Sequence, residues 1–562
     1  MSKEDIKEEQ VKTNFIDDII IADLDSGKHD GRVQMRFPPE PNGYLHVGHA
    51  KAIWINFETA KKYGGKTNLR FDDTNPVKED TEYVEAIKRD IKWLGYEWDQ
   101  EPYYTSNYFP QLYGYAEDLI HKGLAYVDDS TPDEIAKMKG TPTEPGVNSP
   151  HRDRPIDENL KLFRLMKAGK FPDGAMVLRA KIDMAAPNML MRDPLIYRIK
   201  HAHHHNTGDE WCIYPMYDFA HGQSDSLEKI THSCCSLEFM HHRPLYDWFV
   251  EKLNIFPSKQ YEFARMNVAY MITSKRRLLK LVEGGYVSGW DDPRMSTLSG
   301  MRRRGYLPQS IRQFCALTGV QKRDNLQEMA LLESVVRDDL NAVATRVMVV
   351  MNKLKLIITN YPEGQVEQLP SKNNPQDDSA GEHMMTFSRE IWIEQDDFMI
   401  DAPKKYFRLA PDKHVRLKGA YIIKADKHIV NDAGEVTEVH CTYFPESKSG
   451  SDNSGIKVKG TMHWVDSTSG IPLELRLYDR LFTDPTPNGH DGVDFLDFYN
   501  KESLVVKTDA IAEKHLSEVG DMEPLQFMRK GYFIKDQDST EDNLVFNRTV
   551  ALRDSWAKKN KK

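Results

Sequence analysis

The first clear pattern in the chain is a short apolar–polar alternation that ends in a proline-rich loop. Residues 33–37 alternate between apolar and polar side chains, which predicts a strand with one buried face. Prolines and Asn42-Gly43 then end this strand and turn the chain. From 47 to 63 the apolar positions recur at helical spacing, and a glycine pair follows. The segment therefore predicts a strand, a loop and a helix.

A second strand is predicted at 67–71 and a second helix at about 80–94. Strand–helix–strand–helix with short loops is half of a parallel, doubly wound sheet. We expect the second half to begin at 211–221 and to continue to about 270, after an insertion at about 101–209.

The periodicity changes twice in the second part of the chain. It is helical from about 270 to 351, with one apolar stripe formed by Leu326, Ala330, Leu331 and Val335. Beyond 352 short alternating strands follow, such as 390–394, which predicts an all-β region made of barrels.

These patterns predict an α/β, Rossmann-like domain with a split parallel sheet, an inserted domain, a helical subdomain and C-terminal all-β barrels. The expected bounds are an N-terminal extension at 1–24, the Rossmann-like domain at 25–100 and 210–270, the insert at 101–209, the helical subdomain at 271–346 and two barrels at 347–562. The family resemblance described below implies that the Rossmann-like domain is the catalytic domain.

Composition narrows the class of protein. No run approaches the roughly 18–20 apolar residues of a membrane span, and the first residues are charged with no apolar core, so no secretory signal is expected. The five cysteines form no CxxC pair, which argues against a zinc ribbon or a disulfide scaffold. These features predict a cytoplasmic protein without a membrane partner.

The charge is acidic overall but uneven. The 76 basic and 86 acidic side chains give a net charge of −10, which disfavours non-specific nucleic-acid binding. Local basic clusters at 275–277, 302–304 and 558–562 nevertheless offer patches on which a structured RNA docks.

The start of the first helix carries candidate chemistry. A helix start presents unpaired N–H groups and the positive end of the dipole, so it binds anions. His46 and His49 add two imidazoles one turn apart, and Gly48 leaves room for a close approach to the backbone. This arrangement suits a triphosphate, although two histidines that only cap a helix are the alternative.

Residues 37–49 (FPPEPNGYLHVGH) resemble the HIGH motif of class I aminoacyl-tRNA synthetases, with Val in place of Ile. Residues 69–76 (LRFDDTNP), 214–221 (YPMYDFAH) and 289–295 (GWDDPRM) resemble glutaminyl-tRNA synthetases in particular. The resemblance runs from about 14 to 557, with the motifs in the order and spacing of that family.

The resemblance implies an ATP site in which His46, His49 and Lys275 stabilise charge on the phosphates. Thr273 stands where the family's mobile loop has Met, a departure that bears on loop closure; a solvated basic turn is the alternative for this segment. The implied ATP-binding residues are Glu40, Pro41, Asn42, His46, Val47, Gly48, His49, Ala50, Lys51, Ala52, Ser236, Arg265, Met266, Thr273, Ser274 and Lys275.

The implied glutamine-binding residues are Arg36, Asp72, Tyr217 and His221. Asp72 matches the residue that holds the substrate ammonium, but Asp-Asp-Thr-Asn-Pro is also good turn chemistry. The nearest rival is glutamyl-tRNA synthetase, whose site needs a cation for the second carboxylate and has Arg near the place of Cys235. Without that cation a carboxylate is stranded, which favours glutamine.

The resemblance also implies an insert that binds the tRNA acceptor stem and barrels that bind the anticodon. Phe407 departs from the family, and its ring either stacks on a base or belongs to the core; His241 replaces an acidic residue that probes the acceptor stem in some relatives. Each implied arginine has a plain surface charge as its alternative. The implied tRNA-binding residues are Arg346, Arg408, Arg416, Gln526 and Arg529.

Two clusters are interpreted as structural. Successive histidines at 201–205 are not expected to converge on one metal ion, and Cys234-Cys235 is expected to form pocket wall. The expected function is ATP-dependent ligation of L-glutamine to tRNA(Gln) by a monomer, with Mg²⁺ accompanying ATP and no structural metal. The alternatives are a glutamyl-tRNA synthetase and a non-catalytic tRNA-binding relative.

Overall fold

The computed structural model describes residues 13–77 and 81–553. The first half of the expected N-terminal extension and the basic cluster at 558–562 lie outside these residues. The chain divides into two compact units, Met1–Asn267 with Cys315–Gln327 and Val268–Phe314 with Glu328–Lys562. Among the described helices, none has the length and apolarity needed to cross a membrane.

The first unit contains a parallel sheet, an inserted sheet and the helices that cover them. Its helices are Phe15–Asp25, Val47–Lys62, Thr81–Trp93, Phe109–His121, Pro132–Met138, Ile156–Lys167, Tyr217–Leu227 and Arg243–Leu253. Its strands are Gln34–Phe37, Lys66–Phe71, Tyr103–Tyr104, Ala125–Asp128, Val177–Ala180, Leu195–Ile199, Ile213–Pro215, His232–Ser236, Lys259–Phe263 and Asn325–Gln327. The helix Pro308–Thr318 and the strand Met266–Val268 run across the division of the chain.

The sheet formed by the strands on either side of the insert, here called the catalytic sheet after the family resemblance, is parallel, as the sequence predicts. Gln34–Phe37 pairs with Lys66–Phe71, which pairs with Tyr103–Tyr104, and all three run in parallel. His232–Ser236 and Lys259–Phe263 form a second parallel pair. The two halves meet where the Thr231 N–H donates to the Gln34 carbonyl at 2.9 Å.

The prediction that the second half of the parallel sheet starts at 211–221 is wrong for the strand in this segment. Ile213–Pro215 pairs antiparallel with Leu195–Ile199 and completes the four-stranded sheet of the insert. A buried run of this length has the same apolar pattern in either sheet, so only the hydrogen-bonding partner distinguishes the two. The helix Tyr217–Leu227 then returns the chain to the catalytic sheet.

The described part of the expected N-terminal extension is a helix of the catalytic core. Phe15–Asp25 begins with a capping box between Asn14 and Asp17. Ile16 and Ile20 are buried in one cluster with residues of the strand Gln34–Phe37 and the helix Val47–Lys62. Residues 14–25 therefore pack against the parallel sheet and are part of its domain.

The second unit contains helices followed by strands. Its helices are Lys275–Glu283, Leu298–Arg303 and Met329–Val343. Its strands are Thr345–Val347, Val349–Val350, Lys353–Ile358, Glu367–Lys372, Glu382–Phe387, Glu390–Glu394, His414–Leu417, Ile422–Val430, Val436–Phe444, Thr461–Met462, Val465–Asp466, Ile471–Tyr478, Leu504–Ala512, Leu525–Phe527, Gly531–Lys535 and Leu544–Val550.

Two seven-stranded sheets make up most of the second unit, and each curls into a barrel-like shape. The edge strands of one sheet are Thr345–Val347 and Val349–Val350, which are separated by a single residue. The edge strands of the other are Thr461–Met462 and Val465–Asp466. Because such short connections bring the two edges of each sheet together, the sheets are nearly closed, in agreement with the predicted barrels.

The predicted apolar stripe at 326–335 is wrong in part. The helix begins only at Met329, and its buried face is formed by Met329, Leu332, Val335, Val336 and Leu340. Leu326 and Leu331 are 42% and 37% exposed. Leu326 lies in a strand, so helical spacing counted from it selects the wrong face.

The packing of the first helix gives a stability test. Ile20→Ala should lower the free energy of unfolding by about 2–5 kcal/mol, because Ile20 is fully buried and its removal leaves a cavity. The matched control Ile21→Ala should change it by at most about 0.5 kcal/mol, because Ile21 is 37% exposed. Urea unfolding of the two variants measures the difference, and equal effects would show that this helix is not part of the core.

Candidate functional site

A cavity of about 530 Å³ opens in the first unit where the parallel strands end. Ligands of open α/β sheets bind outside the carboxyl ends of such strands. Many of the residues implied by the motifs line it together: Arg36, Glu40, His46, Gly48, His49, Ala52, Asp72, Tyr217, His221, Ser236 and Arg265. The structure thus brings the nucleotide motif and the amino-acid motifs to one cavity.

The two histidines are fixed by the start of the helix Val47–Lys62. His46 is its N-cap, and its Nδ1 accepts from the Gly48 N–H at 3.1 Å. The His46 N–H in turn donates to Nδ1 of His49 at 3.1 Å, and the two rings stack with centroids 3.8 Å apart. Since each Nδ1 is an acceptor, the proton of each neutral ring is on Nε2.

Burial keeps both rings uncharged. It lowers the pKa of His49 to about 4, with Arg265 acting in the same direction. It also lowers the pKa of His46 well below its usual value, and His49 and Arg265 add to the effect. At neutral pH the pair therefore offers two neutral N–H donors, which suit developing negative charge on a phosphate.

Gly48 has a second reason to lack a side chain. A Cβ at this position would lie 2.9 Å from Cε1 of His46 and 3.1 Å from its Nδ1. A larger residue would push the imidazole out of its capping position. The glycine therefore protects the histidine geometry as well as access to the backbone.

Asp72 is a buried carboxylate with an unused acceptor. It is 8% exposed, and its Oδ1 has no hydrogen-bond partner among the described residues. Burial raises its pKa to about 7, although Arg70 and a hydrogen bond from Thr74 act against the rise. A cationic donor at this oxygen would remove the cost of burying the charge.

A buried ionic network lies behind the cavity floor and centres on Asp225. Arg36 Nε donates to Asp225 Oδ1 at 3.1 Å, and Arg70 donates to the same oxygen at 2.7 Å. Ser233 donates to the other oxygen at 2.6 Å, and Arg70 also pairs with Glu228 at 2.9 Å. Burial alone would raise the pKa of Asp225, but Arg36, His221 and Arg70 hold it far below its usual range.

Within this network neither Arg36 nor Arg70 is an unpaired cation. The charges of Arg36 and Arg70 are balanced by those of Asp225 and Glu228. Burial lowers the pKa of His221 to about 3, so this ring is neutral. His221 stacks on Tyr217 with centroids 5.0 Å apart, which gives a polar but uncharged wall.

Most members of the network were missed from the sequence. Arg70 is at a polar position of an alternating strand, where a solvent-facing side chain is expected, yet it is 1% exposed because a parallel sheet is covered on both faces. Asp225 lies one helical turn after His221, and this spacing is the signal that would have found it.

Some implied ATP residues do not line the cavity: Pro41, Asn42, Val47, Ala50, Lys51 and Met266. Lys51 differs most from the expectation. Its ammonium donates to the Cys315 carbonyl and to the Thr318 hydroxyl, and it lies over the ring of Trp54. Burial lowers its pKa to about 8. The side chain thus stabilises the end of another helix in the same unit.

The implied loop lysine belongs to the second unit. Lys275 is exposed and is the first residue of the helix Lys275–Glu283, with Ser274 at the N-cap and Thr273 before it. Helix starts favour bound anions, and the ammonium of Lys275 adds positive charge there.

The implied tRNA residues lie in the second unit in different environments. Arg346 is 5% exposed and donates to the carbonyls of Ala344 and Asn341, so it stabilises a helix end. Arg529 forms a two-pronged ion pair with the buried Asp397 at 2.7 and 2.8 Å, and Arg408 shares that carboxylate at 3.2 Å.

The remaining RNA candidates, Arg416 and Gln526, are half-buried. Arg416 pairs with Asp452, and Gln526 donates to the hydroxyl of Tyr532 at 3.0 Å. Phe407, for which a core position was one of two expectations, is 47% exposed and is not part of the core.

The two clusters interpreted as structural differ in outcome. Burial raises the pKa of the Cys235 thiol, which lines the cavity as expected of pocket wall. His204 and His205, however, do converge, and both contact Asp73. His204 Nε2 faces the Asp73 carbonyl at 2.7 Å, while its Nδ1 accepts from the N–H groups of Asn206 and Thr207. Both nitrogens of His204 are therefore used in hydrogen bonds.

Comparison with known proteins identifies the family of the chain. The family described as tRNA synthetases class I (E and Q), catalytic domain, matches residues 32–342, and two anti-codon binding domain models match residues 344–444 and 461–536.

Three relatives named Glutamine–tRNA ligase match nearly the full chain. That of Pseudomonas syringae pv. tomato is 56% identical over 97% of this chain and 96% of its own length. Those of Bradyrhizobium diazoefficiens and Clostridium perfringens are 54% and 56% identical, over 98% and 97% of this chain and 98% of their own lengths. The chain therefore belongs to the class I tRNA synthetase family of the E and Q type.

Proposed function

We propose that the protein ligates L-glutamine to tRNA(Gln) at the expense of ATP, through a glutaminyl-adenylate. The observation that carries the proposal is the cavity of the first unit, in which neutral histidine donors, an unused buried carboxylate and a charge-balanced floor occur together. The full-length similarity to proteins named Glutamine–tRNA ligase supports the same reaction.

In the first step the carboxylate of glutamine attacks the α-phosphorus of ATP and pyrophosphate leaves. Nε2–H groups of His46 and His49 donate to the phosphate oxygens on which charge accumulates. The ammonium of Lys275 is assigned to the departing pyrophosphate, as the family motif implies. In the second step the acyl group passes to a hydroxyl of the terminal adenosine of the tRNA, and AMP leaves.

The amino-acid site is assigned to Asp72, Arg36, Tyr217 and His221. The unused Oδ1 of Asp72 accepts from the substrate ammonium, and the uncharged wall holds the side-chain amide. A glutamate in the same place would bring a second carboxylate to a floor where Arg36 and Arg70 are already paired with Asp225. This charge balance favours glutamine over the glutamyl alternative.

The retention of both histidines and of Lys275 argues against a non-catalytic tRNA-binding relative. The tRNA is assigned to the basic side chains of the second unit and to the insert, with Arg408, Arg416, Gln526 and Arg529 as anticodon contacts. Arg346 is the weakest member of that set because it is buried in helix-capping contacts.

Mg²⁺ is expected to enter with the phosphates of ATP, as is usual for this ion. The metal-ligand clusters found among the described residues, Asp73 with His204 and His205 and Asp128 and Asp129 with His151, do not line the cavity. A monomeric state and a cytoplasmic location stay predictions from the family resemblance.

The role of Lys275 gives the first functional test. Lys275→Ala should slow ATP–pyrophosphate exchange by orders of magnitude and leave the KM for glutamine within about twofold, because the ammonium acts on the phosphates. Lys280→Ala is a matched control on the same helix, since Lys280 pairs with Asp494 at the surface. Near-normal exchange by the Lys275 variant would contradict the assigned role.

Substrate choice gives the second test. Charging of tRNA with glutamine should exceed charging with glutamate by about 10⁴-fold in kcat/KM, because a site built to hydrogen-bond an amide strands the carboxylate. Parallel aminoacylation with the two labelled amino acids measures the ratio. Comparable rates would favour the glutamyl alternative.

The pKa of Asp72 gives a pH test. The substrate ammonium binds the ionised carboxylate, whose pKa in the empty site is about 7. Lowering the pH from 8 to 6 should therefore raise the KM for glutamine by about tenfold, since the fraction of enzyme with an ionised Asp72 falls by that factor. His49, with a pKa of about 4, is neutral over this range.

Asp72→Asn is the control for this dependence. The variant should bind glutamine weakly and show a flat pH profile over the same range. A profile that keeps its full slope in this variant would assign the titration to another group.

A further inference from the structure

The carboxylate of Asp73, the residue after Asp72, is held by two segments of the insert that are distant in sequence. Asp73 is fully buried, and its Oδ1 accepts from the Ser106 N–H at 2.8 Å. Its Oδ2 accepts from the Ser106 hydroxyl at 2.6 Å and faces Nε2 of His205 at 3.1 Å. Ser106 lies near the start of the insert in sequence, and His205 lies shortly before its last strand, Ile213–Pro215.

The backbone of Asp73 is held as well. Its carbonyl accepts from Nε2 of His204 at 2.7 Å, and burial lowers the pKa of His204, which keeps this ring neutral. Asn206 closes the arrangement by donating to the Ser106 hydroxyl at 2.8 Å. The preceding residue is fixed from the other side, because the Asp72 N–H donates to the Pro39 carbonyl at 3.0 Å.

These contacts explain the histidines without a metal ion. In His204 the bond to a carbonyl requires a proton on Nε2, and Nδ1 already accepts two backbone N–H groups. Both carboxylate oxygens of Asp73 are also engaged. The cluster is therefore a hydrogen-bond clamp, and a metal ion would have to break it.

We propose that Ser106, His204 and His205 form a clamp on Asp73 that positions Asp72 for the α-ammonium of the amino-acid substrate. The inference rests on the proposed function and adds to it that the insert takes part in building the amino-acid site. The clamp acts on binding of the amino acid, because Asp72 lines the cavity while Asp73 does not.

The histidine segment 201–205 offers a matched control for the role of His205. His205 is 14% exposed at its side chain and contacts Asp73, whereas His203 is 72% exposed and contacts Asp209. His205→Leu should raise the KM for glutamine about tenfold, since it removes one of the buried hydrogen bonds that hold Asp73. The kcat and the KM for ATP should change less than twofold. His203→Leu should change none of these values.

A conservative replacement separates positioning from general damage. His205→Gln keeps an N–H donor near the place of Nε2 and should restore the KM for glutamine to within about threefold of the original enzyme. Ser106→Ala removes a second bond to Asp73 and should raise the same KM, while circular dichroism and the thermal midpoint report whether each variant is folded.

The outcomes are distinct. If the original enzyme charges tRNA with glutamine and both His205→Leu and Ser106→Ala keep its KM for glutamine, the clamp is wrong and the proposed function stands. If the original enzyme charges no glutamine, the proposed function itself is wrong. If His205→Leu lowers kcat and raises the KM for ATP as much as it raises the KM for glutamine, His205 has only a structural role. One equivalent of zinc bound by the full-length enzyme and lost in His205→Leu would make these nitrogens ligands and overturn the clamp.

Discussion

The cavity depends on the burial of one carboxylate, Asp225, between two arginines. Arg36 and Arg70 come from adjacent parallel strands, and Asp225 comes from the helix Tyr217–Leu227 that returns from the insert. Burying such ions costs several kcal/mol each, and the loss of one partner from a buried pair typically costs about 3–5 kcal/mol. The strands and the helix are therefore held in one arrangement, and the walls of the cavity follow from it.

The same electrostatic balance connects structure with chemistry. Because Arg36 and Arg70 are paired with Asp225 and Glu228, neither arginine offers a free cation to the cavity. Burial keeps His221 neutral. On the nucleotide side, helix capping commits each Nδ1 of the histidine pair, so that Nε2–H is the group left for a ligand. The two ends of the cavity are thus prepared for different parts of the reaction by ordinary backbone and burial effects.

In the second unit, too, a buried carboxylate pairs with two arginines. Asp397 is buried and holds Arg408 and Arg529, which lie 121 residues apart in the sequence, in fixed orientations. A pre-oriented guanidinium loses less freedom when it grips a phosphate or a base edge. Arg346 differs, since its guanidinium donates to backbone carbonyls at the end of a helix.

Local chemistry in the sequence determined the strand, loop and helix around residues 34–62, the capping histidines and the alternation of the barrel strands, because each depends on neighbours within a few residues. Apolar periodicity did not reveal the sheet to which Ile213–Pro215 belongs or the true buried face of Met329–Val343, since pairing partners and helix starts select these. Only the tertiary structure decided that Arg70 is buried and that His205 meets Asp73, 132 residues away. Such contacts join segments distant in the chain, and their energy exists only once the segments have packed together.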